Sequence, residues 1–300
     1  MSAEAIACFA EQSAFPPATS GDVAALRDHY DAFNRRHLDI ALASYAVDCT
    51  RSKIAGVVVD IVVPAGGATC EGTLLCLHGG AFMWGRGAGA LLKAAPVAAV
   101  TGMRVIAVEY ALAPEQIFPA AVDDVLAVYQ SLLGTEPARR IGIYGCSAGG
   151  ILTAQAVSRM IAEKVALPGA IAMLCGTGLE MIGDSAASAA AFAAGPGDAE
   201  PASLAALPYF VGADLADPLV FPGEHPARLA EFPPSLLITG TRDFAASSVT
   251  VMHRRLLAAG AEAALIQFDG MWHAHHMATT LPESRETFAA LNRFFAAHLA

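Results

Sequence analysis

The stretch IGIYGCSAGGILTAQAVSRMIA, residues 141–162, holds the fold in miniature. Ile141–Tyr144 is a short apolar run of the kind buried on both faces of a sheet, and Ile151–Ala162 is patterned as a helix. Between them lies Gly145-Cys146-Ser147-Ala148-Gly149-Gly150, a Gly-x-Ser-x-Gly turn. The central residue of such a turn sits in a strained conformation, and side chains two positions to either side would strike the neighbouring strand and helix. Glycines at 145 and 149 remove those side chains and leave the Ser147 hydroxyl exposed beyond the strand. The amide of Ala148, opening the helix, is placed to donate to a developing negative charge. A glycine-rich turn with an incidental serine would share the spacing, but not the strand before it and the helix after it.

Working outward, the same alternation recurs. Thr73–Leu77, Arg104–Val108, Ala170–Leu174, Leu236–Thr239 and Ala264–Phe268 read as strands, and Val57–Val63 is a β-branched run ended by Pro64. Val122, Val125, Leu126, Tyr129, Leu132 and Leu133 form one helical stripe, and Phe288, Leu291 and Phe295 form another after Pro282. Strands alternating with helices predict an α/β fold whose mostly parallel central sheet is covered on both faces. Ligands on such sheets bind beyond the carboxyl ends of the strands. Residues 1–45 read as helical, with Val23, Leu26, Tyr30 and Phe33 on one face. Gly176–Pro234 breaks the rhythm: it is rich in Gly, Pro, Ala and Asp and too long for an ordinary connection. The chain therefore divides into an N-terminal helical segment (1–45), a core in two parts (46–176 and 235–300) and a cap insertion (177–234), with the insertion expected to pack on the N-terminal helices.

Composition narrows the function classes. With 18 Lys+Arg against 28 Asp+Glu in 300 residues the net charge is −10, which argues against a nucleic-acid partner. The 55% hydrophobic content is dominated by alanine, about a fifth of the chain, and no run of about 18 strongly apolar residues suggests stable membrane association. Six cysteines without paired spacing, and no basic-then-apolar leader, predict reduced thiols and a cytoplasmic protein.

An exposed serine becomes a nucleophile when a base and an orienting carboxylate stand beside it. On this kind of sheet the order is Ser, then Asp or Glu, then His. Asp243 follows the strand Leu236–Thr239, and His273 follows Ala264–Phe268, so both belong to the sheet edge that carries Ser147. Rivals are His275 and His276 for the base, and Asp269 for the carboxylate, although Asp269 would have to fold back onto its own loop. His273, His275 and His276 also admit a metal reading, but no H-E-x-x-H pattern supports it, and no metal or cofactor is expected. His78-Gly79-Gly80-Ala81-Phe82 follows the strand Thr73–Leu77, and its small residues let backbone amides approach an oxyanion; Gly80 and Ala81 are the candidate donors. A tight turn held by His78 would look similar.

Six ordered elements together resemble the hormone-sensitive lipase-like branch of the α/β-hydrolases. HGGAF at 78–82 is similar to the family's HGGGF, YALAPE at 110–115 to Y-R-L-A-P-E, and FPAAVDD at 118–124 continues that pattern. GCSAGG at 145–150 resembles GDSAGG, Asp217-Pro218 resembles the family's D-P element, and GMWH at 270–273 resembles G-M-x-H. The resemblance implies an α/β-hydrolase core, a cap built from the N-terminal helices and the insertion, and serine-dependent hydrolysis of small to medium soluble esters by Ser147, His273 and Asp243 without a cofactor. Three residues depart from the pattern. Ala81 adds a methyl but keeps its N–H; Cys146 removes the usual carboxylate before the nucleophile; Ala111 removes the usual arginine and leaves the role of Glu115 open. An amide, formamide or lactone hydrolase would use the same residues, and a non-catalytic small-molecule binding protein on the same fold would not need all three. Phe82, Met83, Trp84, Tyr209 and Phe210 are the candidate substrate contacts; Phe192, Leu204, Leu207, Leu215 and Phe221 add apolar surface that would equally suit the core of a cap. The edge strand Ala264–Phe268 offers a homodimer interface.

Overall fold

The computed structural model describes residues 1–13, 22–194 and 203–299, without the side chains of 12–13 and 189–194. Among the described residues eight strands form one sheet: β1 (Val47–Ile54), β2 (Val57–Pro64), β3 (Thr73–Leu77), β4 (Arg104–Val108), β5 (Ile141–Cys146), β6 (Ala170–Leu174), β7 (Ser235–Arg242) and β8 (Ala263–Trp272). Their spatial order is β1-β2-β4-β3-β5-β6-β7-β8. β1 and β2 pair antiparallel, as do β2 and β4, and every later pairing is parallel. This is the mostly parallel α/β sheet that the alternation predicts, in the α/β-hydrolase architecture that the resemblance implies.

Period-two packing explains the continuous apolar runs. Leu75, Leu77, Ile106, Val108, Ile171 and Met173 join one core with helices α4 (Ala120–Leu133), α5 (Ala148–Glu163) and α8 (Ala246–Ala258). Leu74, Cys76, Val105, Ala107, Ala170 and Ala172 join the other with α3 (Ala88–Thr101) and α9 (Pro282–His298). β1 was not foreseen. Its sequence, VDCTRSKI, has no buried residue, because an edge strand needs only its hydrogen-bonded partner.

The N-terminal helices are α1 (Ala3–Ser13) and α2 (Val23–Ser44), and the insertion contributes α6 (Gly183–Ala194) and the single turn α7 (Pro226–Leu229). Among the described elements α2 packs chiefly on α3 and α1 touches α9, while α6 packs on α8. The main contacts of both segments are with the core and not, as expected, with each other. The small residues of α3 explain this for α2: a side chain at Gly89 would meet Asn34 of α2 at 2.8 Å.

Candidate active site

The sheet brings four loops to one end. β3 and β5 lie side by side with Leu77 opposite Gly145, which sets the loop after β3 against the turn after β5. β7 and β8 pair through Arg242 opposite Trp272, which sets Asp243 beside His273.

Ser147 has a positive φ, with φ 58° and ψ −123°, a conformation that side chains rarely adopt. A Cβ at Gly149 would stand 1.9 Å from the Leu77 carbonyl oxygen, and one at Gly145 2.0 Å from that of Gly149, so no side chain fits at either position. The Ser147 N–H donates to the Leu174 carbonyl at 2.7 Å, which ties the strained residue to β6.

His273 Nε2 lies 2.9 Å from Ser147 Oγ, and its Nδ1 lies 2.7 Å from Asp243 Oδ1. An ionised Asp243 accepts the Nδ1 proton, which leaves Nε2 free to accept from the serine. Asp243 also accepts from the Ala245 N–H at Oδ1 (2.9 Å) and from the Thr239 hydroxyl at Oδ2 (2.8 Å). Burial alone would raise its pKa, but the facing His273 and these donors outweigh burial and hold the carboxyl at about 2. Phe244 stacks on the His273 ring at 4.0 Å and restrains the imidazole from its open side.

The rival residues lie elsewhere. His275 is buried with Nε2 near Thr287 Oγ1, and burial pushes its pKa down to about 4. His276 is buried beside Cys146 and Lys93. Asp269 accepts from Thr241 at the surface. Among the described residues the ligand atoms that gather are Cys175 Sγ, Asp243 and His273, within 4.8 Å of one another. His273 Nδ1 and Asp243 already bond each other, and the Cys175 sulfur accepts the Ala274 N–H at 3.3 Å. Cys146 is a buried thiol whose pKa is pushed up to about 12 by burial, so it offers no nucleophile.

The His78–Phe82 loop runs past the serine: a Cβ at Gly79 would sit 3.1 Å from Ser147 Cβ. Among the described residues no hydrogen bond takes up the N–H of Gly80, Ala81 or Ala148. His78 is structural. It is fully buried, its ring stacks on Tyr110 at 4.1 Å, and burial pulls its pKa down to about 3.

A cavity of about 140 Å³ opens beside Ser147, lined by Ala81, Ala148, Ile151, Cys175, Leu179 and Met181, with Leu204, Leu207 and Phe244 among its other walls. None of Phe82, Met83, Trp84, Tyr209 or Phe210 lines it. The reason is packing: Phe82 stacks on Tyr209 at 3.9 Å, Phe210 meets both rings edge-on, and all three are buried in the core that anchors the loop. Met83 packs against that core, and Trp84 faces a separate cleft between α2 and the loop after β4. Leu204 and Leu207 do face the cavity, whereas the Phe192 side chain lies outside the described residues. Ile151, Leu179 and Phe244 were not foreseen. Only Phe244, adjacent to Asp243, carried a positional hint.

No described helix is long and apolar enough to cross a membrane. Residues 74–277 match a family described as having the alpha/beta hydrolase fold. Over 271 residues the chain is 32% identical to LipR of Mycobacterium tuberculosis, which carries a provisional acetyl-hydrolase name; the match covers 83% of this chain and 80% of LipR. An acetyl-hydrolase of Streptomyces hygroscopicus is 28% identical over 74% of each chain. Among solved structures, esterase E25 superposes with a TM-score of 0.83 at 31% identity, covering 98% of this chain and 93% of its own. An esterase of the bacterial hormone-sensitive lipase family superposes at 0.81 and 26%, covering 99% and 97%. With the fold, the order of its motifs and these relatives in agreement, the chain belongs to the hormone-sensitive lipase-like family of α/β-hydrolases, a family of carboxylesterase-type enzymes.

Proposed function

We propose that this chain hydrolyses carboxylic esters with short acyl groups through Ser147, His273 and Asp243. One observation carries the reading: a single imidazole bridges the serine hydroxyl at 2.9 Å and a buried carboxylate at 2.7 Å. In this reading Ser147 Oγ attacks the ester carbonyl as its proton passes to His273 Nε2, and Asp243 stabilises the imidazolium that forms. The carbonyl oxygen, now negative, is held by the amides of Gly80, Ala81 and Ala148. The imidazolium gives its proton to the departing alkoxide, leaving an acyl-serine. Water, deprotonated by the same imidazole, then releases the acid and restores the serine.

Acyl length follows from volume. A cavity of about 150 Å³ holds one benzene-sized molecule, and the apolar space beside Ser147 is about 140 Å³. That suits acetyl to butyryl groups and excludes long acyl chains unless the walls move. The acetyl-hydrolase names of two relatives agree with that range. The test is kcat/KM on p-nitrophenyl acetate, butyrate, octanoate and palmitate, beside a matched butyryl anilide. A fall of more than about tenfold from butyrate to octanoate is expected, with the anilide below the ester and turnover lost in Ser147→Ala. Equal turnover of palmitate and butyrate would refute the size argument; hydrolysis persisting in Ser147→Ala would refute the nucleophile.

A further inference from the structure

Helix α2 reaches across the oxyanion loop with two side chains. Arg27 Nε donates to the Met83 carbonyl at 2.8 Å and Nη2 to the Ala113 carbonyl at 3.0 Å. Nη1 and Nη2 also close on Glu115 Oε1 and Oε2, each at 2.7 Å. One turn further, the Tyr30 ring lies flat on Trp84, with centroids 4.4 Å and planes 4° apart. Glu115, whose partner was open because Ala111 stands where the family motif has arginine, thus takes its cation from the N-terminal segment.

The loop needs such a hold. Gly80, Ala81 and Phe82 have successive φ angles of 115°, 49° and 59°, and two of the three are not glycine. Within the turn, Met83 and Trp84 donate back to the Gly80 carbonyl, and Phe82 accepts from the Ala113 N–H at 2.8 Å. These bonds close the turn and attach its middle. Arg27 attaches its far end, and does so to the same segment, Ala113–Glu115, that receives Phe82.

We infer that Arg27 is a positioning residue for the oxyanion hole: its planar fork locks Met83 to Ala113 and Glu115, and so fixes where the Gly80 and Ala81 amides stand relative to Ser147. The inference rests on the ester-hydrolase reading above. Global stability is not the main consequence, because Glu115 is more than half exposed and an exposed ion pair contributes little to folding. The fork geometry is the essential part, since four acceptor atoms on three residues are met by one rigid guanidinium, which a flexible ammonium cannot reproduce.

The experiment compares wild type, Arg27→Ala, Arg27→Lys and Tyr30→Ala on p-nitrophenyl butyrate, and measures inhibition by a trifluoromethyl ketone, whose serine adduct carries an oxyanion. Arg27→Ala is expected to lose about tenfold or more in kcat, with KM within about twofold and ketone affinity falling by the same factor as kcat. Arg27→Lys is expected to stay within about threefold of Arg27→Ala, because charge without the fork does not hold both carbonyls. Tyr30→Ala, a separate hold on the same loop, is expected to lower kcat several-fold, again without raising KM, and reports should Arg27→Ala fail to fold. Arg35→Ala, on the same helix but paired with Asp31 in solvent, keeps the wild-type kcat. Wild-type kcat and ketone affinity in folded Arg27→Ala, full rescue by lysine, or a loss confined to KM would overturn the inference. An inactive wild type would instead sink the ester-hydrolase reading, so the two failures are distinguishable.

Discussion

In the proposed mechanism Asp243 orients the His273 imidazole, and replacing it by asparagine separates its charge from its shape. Two donors converge on Oδ1, the His273 Nδ1–H at 2.7 Å and the Ala245 N–H at 2.9 Å, while Oδ2 accepts from the Thr239 hydroxyl at 2.8 Å. An asparagine must therefore keep its oxygen at the δ1 position. Its amide nitrogen turns to Thr239, whose hydroxyl rotates from donor to acceptor. Ring orientation and tautomer survive, and what is lost is the negative charge beside the imidazolium. Unit charges about 4 Å apart at an effective dielectric of about 20 interact by about 4 kcal/mol. At about 1.4 kcal/mol per decade, Asp243→Asn should lose about 10³ in kcat/KM on a short-chain nitrophenyl ester. Adding Thr239→Val strands the amide N–H₂ and invites it to flip against the Ala245 N–H, so the double variant should lose about tenfold more. A single variant within tenfold of wild type would refute the electrostatic magnitude. One as inactive as Ser147→Ala would refute the claim that Ala245 and Thr239 dictate the amide's orientation.

Acid should destabilise the fold well above the carboxylate range. His78 and His275 are buried with pKa values lowered to about 3 and about 4, and His276 shifts the same way, so between those values and about 6.5 the unfolded chain binds more protons. Their stabilisation is complete above about pH 6.5 and falls by about 3 kcal/mol per pH unit below about pH 6, counting His78 and His275 alone. Asp243, at about 2, adds its loss only below about pH 4. Urea midpoints measured from pH 8 to 4 check this, and a flat profile between pH 7 and 5 would contradict it. Thiol titration with Ellman's reagent should find exposed Cys49 and Cys70 reacting promptly in the native protein, while buried Cys76 and Cys146, raised to about 11 and about 12, react only on unfolding. Ester hydrolysis should be unchanged by that prompt labelling; loss of activity in step with it would point to a thiol in the chemistry.

The legible parts of the chain are those where local chemistry admits one solution. Gly145 and Gly149 flank Ser147 because backbone oxygens stand within 2.0 Å of where their Cβ atoms would be, and such exclusion writes itself into the sequence as glycine. Strands β3, β4 and β6 are buried on both faces and end where their apolar runs end. β1 was illegible for the opposite reason, since its stability lies in its ladder with β2 and not in its side chains. The aromatic residues after the oxyanion loop misled the pocket reading because apolar character marks burial and not what a side chain is buried against. Phe82 stacks on Tyr209 with Phe210 edge-on to both, and the cavity is walled instead by residues such as Ile151, Leu179 and Phe244, dispersed over three segments. Arg27 carries no motif at all, and its partners at 83, 113 and 115 become neighbours only in the folded chain.

Backbone strain shows how these pieces depend on one another. Among the described residues seven that are not glycine have positive φ: Ala55, Ala81, Phe82, Ser147, Lys164, Cys175 and Ala274. Ala55 belongs to the β1–β2 turn and Lys164 ends α5, but the other five stand in the loops after β3, β5, β6 and β8, around the serine. At about 1–3 kcal/mol each, five such residues cost about as much as the whole net stability of an ordinary domain. Hydrogen bonds to neighbouring segments hold four of them: Ser147 N–H to the Leu174 carbonyl, Cys175 N–H to that of Ile238, Ala274 N–H to the Cys175 sulfur, and Ala113 N–H to the Phe82 carbonyl. The Ser147 loop is thus held by β6, the β6 loop by β7 and by the loop carrying His273, and the oxyanion loop by the segment that Arg27 clamps. Relaxing any one of these turns would shift its neighbour, and that mutual dependence keeps hydroxyl, imidazole and amides in register at the end of the sheet.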